Sequence, residues 1–305
     1  MKRILGIVIL VAIVCIPIGL AISRPGGGTG LGRPEVVAVA ELKGFISDAT
    51  GDTVAEARGK RPFLDHLAKA REDSRVAAVV IRINSGGGTA AFSQEIHRAV
   101  QKVREAGKPV VVSMGDTATS GAYYVATAAD RILANPGTIT GSIGVYVSYL
   151  KAAGLAETYG VEYVTVKSGP HKDIGNPTEP LADEQRAMLQ ALVDDTLDQF
   201  VADVARARGL DVETVRRVAD GRVLTGAQAK ELGLIDDFGG LEDAIELAAD
   251  LAGIDGKPRV ILYRDPVPWY ARLLEAAADG RLVRSLGAQL LRSWPEELGQ
   301  PRLMF

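Results

Sequence analysis

The twenty-one residues from Pro109 to Ala129 constrain the fold more than any other stretch of this chain. Pro109-Val110-Val111-Val112-Ser113-Met114 carries no charge and reads as a buried strand. From Ala122 to Ala129 there is again no charged residue, which predicts a helix buried on all sides. Between them sits Thr117-Ala118-Thr119-Ser120-Gly121, a strand-to-helix junction with one serine at the start of the helix. The same alternation recurs on either side. Val36–Ile46 reads as a strand, Phe63–Arg71 as a helix, and Val76–Asn84 as a nearly continuous apolar strand interrupted by Arg82. Ser93–Ala106 reads as an amphipathic helix, Arg131–Ala134 and Val161–Val166 as strands, and Ala182–Arg208 as a long helix. Helices dominate to Ala252, and Arg259–Tyr263 reads as a last strand. Strands alternating with helices predict βαβ units and a largely parallel sheet.

The N-terminus reads differently. Lys2 and Arg3 precede nineteen uncharged residues, Ile4–Ile22, long enough at ~1.5 Å per residue to cross the hydrocarbon core of a membrane. A cleaved signal peptide, ending near Ala21-Ile22-Ser23, is the competing reading. The two positive charges favour a cytoplasmic N-terminus, with the rest of the chain beyond the membrane. Arg24–Pro34 holds five glycines and two prolines in eleven residues and reads as a linker. The expected organisation is an anchor over 1–23, a linker over 24–34, a catalytic domain over 35–255 and a C-terminal extension over 256–305. The extension is expected to contact a neighbouring subunit or the membrane.

Composition excludes several classes. A formal net charge of −3 gives no nucleic-acid footprint. One cysteine, Cys15, rules out an internal disulfide framework and a cysteine-rich metal site. There are three histidines. His66 and His97 fall in helical patterns and read as solvated face residues.

Three loops follow buried strands and are expected to converge at one edge of the sheet, where open α/β folds bind ligands. Asn84-Ser85-Gly86-Gly87-Gly88 can turn backbone N–H groups toward a phosphate or toward an oxyanion. It matches neither the P-loop nor the dinucleotide-binding pattern. The second loop carries Ser120, which is either a helix N-cap or a nucleophile whose developing charge the helix dipole would favour. The third, Lys167–Pro177, carries Lys167, His171 and Lys172. A serine nucleophile needs a base. A lysine serves only when neutral, so its ordinary pKa of ~10.4 must be depressed. His171 is the rival.

These segments resemble the signal peptide peptidase A family, bacterial membrane-anchored serine/lysine peptidases related in fold to Clp protease and crotonase. The matching stretches are Arg82–Gly87, Ser120–Ala126, Thr140–Val145, Lys172–Pro177 and Gly221–Gly226, continuing into Leu232–Asp236. The resemblance spans roughly residues 35–255. It implies a Clp protease/crotonase-like α/β core with a parallel sheet and flanking helices, behind one N-terminal transmembrane helix. It further implies Ser120 as nucleophile, Lys172 as general base, and Gly87 with Gly121 as oxyanion donors. Ser142 would hold the lysine amine. The chain departs from the family where Gly86 replaces a proline, which implies a more flexible oxyanion loop.

The implied activity is membrane-bound endopeptidase cleavage of signal-peptide remnants. It would proceed through an acyl-enzyme without metal or cofactor, in a ring-shaped homo-oligomer such as an octamer. The catalytic domain would lie on the extracytoplasmic side of a bacterial cell membrane. Asp173, the carboxylate beside the base, is expected to point away from it. Other readings are a Ser/Lys protease acting on a membrane-scaffold protein, a crotonase-like acyl-CoA enzyme, and a non-catalytic membrane scaffold.

Overall fold

Strands β1 (Val36–Lys43) and β2 (Val76–Ser85) run parallel in the middle of one sheet, in a computed structural model that describes residues 36–48 and 61–263. On one side β2 pairs with β3 (Val110–Thr119), and on the other β1 pairs with β8 (Arg259–Tyr263). The first half of β3 pairs with β4 (Arg131–Ala134) and its second half with β5 (Ile139–Gly141). Then β6 (Val223–Thr225) lies beside β5 and β7 (Asp237–Phe238) beside β4. Every pairing except β5–β6 is parallel. The architecture is therefore the mixed α/β sheet that the alternation predicts. Because β8 joins it, the sheet continues past residue 255.

The helices are α1 (Arg61–Glu72), α2 (Ala90–Glu105), α3 (Gly121–Ala126), α4 (Ala153–Tyr159), α5 (Asp183–Arg208), α6 (Val212–Arg216), α7 (Gly226–Glu231) and α8 (Leu241–Leu251). They bury both faces of the sheet, so the central strands can be apolar throughout. On one face Ala38, Ala40, Leu42, Ile81, Ile83 and Val112 join the core that includes Phe63, Leu67, Phe92, Ile96 and Val100. On the other, Val37, Val39, Val80 and Val111 pack with Ala244, Ala248 and Ala249 of α8. Helix α3 lies inside the first cluster, and Ala122 to Ala129 are all buried, as a charge-free helix requires.

Two features turn β3 toward the site. Its register with β2 shifts between Ile83 and Ser85. There Asn84 Oδ1 accepts the Thr117 N–H at 3.1 Å, filling the gap in the ladder. The far end, Thr117–Thr119, is thereby passed from β4 to β5, which carries Ser120 out beside Gly141.

The structure corrects two expectations. Val161–Val166 is not a strand: among the described residues no strand pairs with it, and Val166 is 98% exposed. A β-branched run becomes a strand only when a neighbour offers a ladder and a face to pack against. His66 and His97 are buried rather than solvated. His66 stacks on Tyr263 of β8, with ring centroids 5.4 Å apart. His97 shares the α2 face of Phe92, Ile96 and Val100, and lies 4.7 Å from the Tyr124 ring. The expected membrane span, the linker and the tail beyond Tyr263 lie outside the described residues. Among the described residues no helix is long and apolar enough to cross a membrane.

Burial is the main cause that lowers the His97 pKa, with Asp203 acting in the opposite sense. A histidine held below its unfolded value binds fewer protons folded than unfolded, so stability falls as pH drops through about 6.5. Its Nε2 is buried without a partner among the described residues. We therefore expect His97→Phe to flatten the loss of stability between pH 7.5 and 5.5. Urea midpoints at the two pH values measure it, and an unchanged loss would place the sensitivity elsewhere.

Candidate active site

Ser120 occupies a backbone conformation that side-chain-bearing residues rarely adopt, φ 55° and ψ −125°. The conformation follows from its position. Strand β3 ends at Thr119, helix α3 begins at Gly121, and one residue makes the turn. The turn is held on both sides. The Ser120 N–H donates to Gly141 O at 2.9 Å, and Ser120 O accepts from Tyr124 N at 2.9 Å. Strain at an isolated turn costs of order 1–3 kcal/mol and persists only when the surroundings over-determine it. Here two ladders and a buried helix do so, and the hydroxyl is carried to the lip of the sheet.

The glycine loop lies against this turn. A Cβ built on Gly87, whose φ is +96°, would stand 2.8 Å from Gly121 N and 2.9 Å from Ser120 Cβ. A Cβ on Gly88 would meet Ile46 O at 1.9 Å, and one on Gly121 would meet Ser93 Oγ at 2.4 Å. These three positions admit no side chain without movement. A Cβ on Gly86 would have nothing within 4 Å.

Ser85 shapes the loop from within. Its Oγ donates to Gly44 O at 2.6 Å and accepts the Gly87 N–H at 3.1 Å. Gly88 bridges Ile46 in parallel fashion: Ile46 N donates to Gly87 O and Thr89 N to Ile46 O. In such a bridge the N–H of the bridging residue faces the other way. The N–H groups of Gly88 and Gly121 make no hydrogen bond among the described residues. A Cβ on Gly121 would lie 3.2 Å from Gly88 N, so the two are close neighbours. Gly88, the third glycine of the run, was not singled out by its motif, and its N–H stands beside that of Gly121.

Above the serine opens a cleft of about 400 Å³. Phe45, Tyr124, Val145, Tyr146, Thr196 and Phe200 are among its walls. Among the described residues no charged side chain and no histidine lines it. The polar groups behind the walls are turned outward. The Tyr124 hydroxyl donates a short hydrogen bond to Asp203, and burial, reinforced by that bond, pushes its pKa up. Asp203 is also paired with Arg206 at 2.6 Å. Phe200 meets the Tyr124 ring edge-on at 5.1 Å.

The structure brings Ser120, Gly87 and Gly121 together, and Ser142 follows Gly141, whose carbonyl accepts the Ser120 N–H. Ser142 has φ 51°, and its N–H donates to Arg222 O at 2.8 Å. Lys172 is not with them. It is exposed, sits in a turn closed by its N–H to Gly169 O at 3.2 Å, and does not line the cleft. Its amine makes no hydrogen bond among the described residues. Gln185 Nε2, at the start of α5, donates to Pro170 O, whereas Phe200 of the same helix lines the cleft. Fifteen residues of helix separate these two points, about 22 Å along its axis. The Asp173 carboxylate points at Lys167 rather than at Lys172.

A family model described as peptidase family S49 matches residues 102–255. A Synechocystis sp. protein whose name marks it as a candidate protease is 44% identical over 83% of this chain and 93% of its own length. Protease 4 of Salmonella typhi is 37% identical over 71% of this chain and 34% of its own. The chloroplastic serine protease SPPA of Arabidopsis thaliana is 34% identical over 80% and 34%. Among solved structures, the membrane-bound stomatin-specific protease 1510-N aligns at 15% identity, covering 76% of this chain and 99% of that one, with a TM-score of 0.48.

The contacts around the loop separate the glycines. Gly86→Ala is expected to retain activity within about twofold, its Cβ meeting open space. Gly88→Ala is expected to lower peptide hydrolysis by about 10²-fold or more, the scale of losing one oxyanion donor. Turnover of a fluorogenic peptide, with thermal melts as a folding control, distinguishes the two. Equal losses would deny the loop its assigned geometry.

Proposed function

The chain belongs to peptidase family S49 and is a serine endopeptidase, and from that premise we propose that Ser120 is its nucleophile and Lys172 its general base. The observation that carries this reading is the strained Ser120 turn beneath an uncharged cleft, with the Gly88 and Gly121 N–H groups uncommitted beside it. Ser120 Oγ attacks the scissile carbonyl carbon, and the oxygen that becomes negative is received by those two N–H groups. Gly87, whose N–H is held by Ser85, supplies the close approach of the loop to the serine. The neutral Lys172 amine takes the serine proton and returns it to the leaving amine, leaving an acyl-enzyme that water hydrolyses. Ser142 orients the amine. The core belongs with the Clp protease/crotonase class, and no metal or cofactor enters the reaction.

The position of Lys172 supports a shared site. Lys172 is exposed in a turn that does not line the cleft, and its amine makes no hydrogen bond to Ser120 or Ser142 of the same chain. We assign the base at each serine to the Lys172 of a neighbouring copy, in a closed homo-oligomeric ring. Tyr146, Leu150, Tyr159, Tyr163, Val164 and Val166 are exposed on the segment leading to Lys172. So much apolar surface in one segment is the mark of an interface.

The substrate follows from the walls. A cleft without charge favours apolar or small side chains, because a buried unpaired charge would be costly there. Remnant signal peptides, which are apolar and lie in the membrane, fit an enzyme anchored by residues 1–23. The peptidase domain would then face the extracytoplasmic side.

Mixing tests both assignments. Ser120→Ala and Lys172→Ala are each expected to abolish hydrolysis, and Ser120→Ala to abolish labelling by a fluorophosphonate probe. His171→Ala is expected to stay active. Co-assembled Ser120→Ala and Lys172→Ala subunits should regain activity, since some sites then pair an intact serine with an intact lysine. No recovery from mixed rings would return the base to its own chain. An active Lys172→Ala would remove it from the mechanism.

A further inference from the structure

Lysine as a base faces a local difficulty. A carboxylate, Asp173, is the next residue in the chain, and a carboxylate facing the amine would stabilise its protonated form. The turn resolves this with a second lysine. Lys167 Nζ contacts both oxygens of Asp173, at 2.9 and 2.8 Å, and lies 3.5 Å from Glu179. The Asp173 side chain is only 11% exposed, whereas Glu179 is 50% exposed. Asn176 N donates to Asp173 O at 2.9 Å, fixing the backbone from which the carboxylate leaves.

We propose that Lys167 is a positioning residue for the general base: it clamps the Asp173 carboxylate away from the Lys172 amine and neutralises it, so that Lys172 can give up its proton. The proposal rests on the assignment of Lys172 as the base. The other groups around the turn do not substitute for the clamp. From α5, Glu184 approaches His171 Nε2 at 3.8 Å, and Gln185, which is neutral, donates to Pro170 O. Glu179 reaches the cluster through Lys167. Lys167 is thus the cation that compensates Asp173 among the described residues. Consistent with this, its hydrogen bonds hold the Asp173 carboxyl below the usual carboxylate range, and Asp173 holds the Lys167 ammonium above the usual lysine range.

The sign follows from charge alone. As a pair, Lys167 and Asp173 sum to zero, and Lys172 feels only their dipole. Removing Lys167 leaves an uncompensated negative charge next to the base, which favours the protonated amine and moves the onset of activity to higher pH. Removing the Asp173 charge leaves an excess positive charge, which disfavours the protonated amine and moves the onset to lower pH.

The experiment is the pH profile of kcat/KM from pH 6 to 10 for an apolar fluorogenic peptide, using the full chain in detergent micelles. Lys167→Met is expected to move the rising limb up by roughly one pH unit, and Asp173→Asn to move it down by a comparable amount, as expected for one unit charge several ångströms away. The double variant is expected to return close to the wild-type limb. A merely structural clamp would lower the amplitude of all three profiles and leave their midpoints in place, which would overturn the proposal. Shifts of the same sign in the two single variants would overturn it as well. Should Lys167→Met fail to fold, the downward shift of Asp173→Asn still decides the matter. Lys172→Ala separates the two levels of inference. If it is active, the base assignment fails. If it is inactive while the limbs of the other variants stay fixed, only the role of Lys167 fails.

Discussion

The structure turns on one close approach. The glycine loop after β2 lies against the turn after β3 at a distance that leaves no room for a side chain on Gly87, while Ile46 closes on Gly88 and Ser93 on Gly121. This contact brings two backbone N–H groups together beside a serine hydroxyl. Much of the sheet serves it. The register shift between Ile83 and Ser85 lets β3 drift, Asn84 fills the gap, and β5 takes over the end of β3 and receives the Ser120 N–H. The buried α3 helix fixes the other side of the turn. Backbone donors suit this role because they are held by the fold itself and need no reorganisation as charge develops.

The second constraint is electrostatic. The cleft is uncharged, and charge near it is either paired or turned outward: Tyr124 leans on Asp203, and Asp203 on Arg206. The loop after residue 166, with Lys167, Lys172 and Asp173, does not line the cleft. Separation has a physical use. A lysine that serves as a base must be free of carboxylates, and a nucleophile must lie in a site that excludes water. Both conditions are met within this chain: no charged side chain lines the cleft among the described residues, and the Asp173 carboxylate is taken up by Lys167.

Legibility varied with the range of the interaction. The strands β1 to β4 and the helices α1, α2 and α5 follow from runs and periodicities a few residues long, and their positions agree with the sequence to within a few residues. The burial of α3 was legible because a run without charge has no polar face to offer to water. Val161–Val166 has the composition of a strand and lacks a ladder partner, which no local pattern reveals. His66 and His97 looked like solvated helix residues because histidine tolerates both environments. Tyr263, 197 residues beyond His66 and stacked on it, and Tyr124, tilted against His97, decided the matter. Phe45, Tyr124 and Phe200 became cleft walls by the same kind of long-range meeting.

By itself, the sequence determined the α/β class, the position of Ser120 at a strand-to-helix junction and the family to which its motifs belong. These depend on side-chain type and spacing, and they are written along the chain. Only the tertiary structure decided which backbone donors stand free. Gly87 gives its N–H to Ser85, while Gly88 turns its own away from Ile46, and both facts depend on how one loop folds over another. Only the tertiary structure left Lys172 exposed in a turn outside the cleft that Ser120 lines, because the folding of the 167–177 turn is not written in its local pattern. It likewise aimed Asp173 at Lys167, a choice between two neighbouring cations that adjacency in sequence leaves open and the geometry of a turn settles.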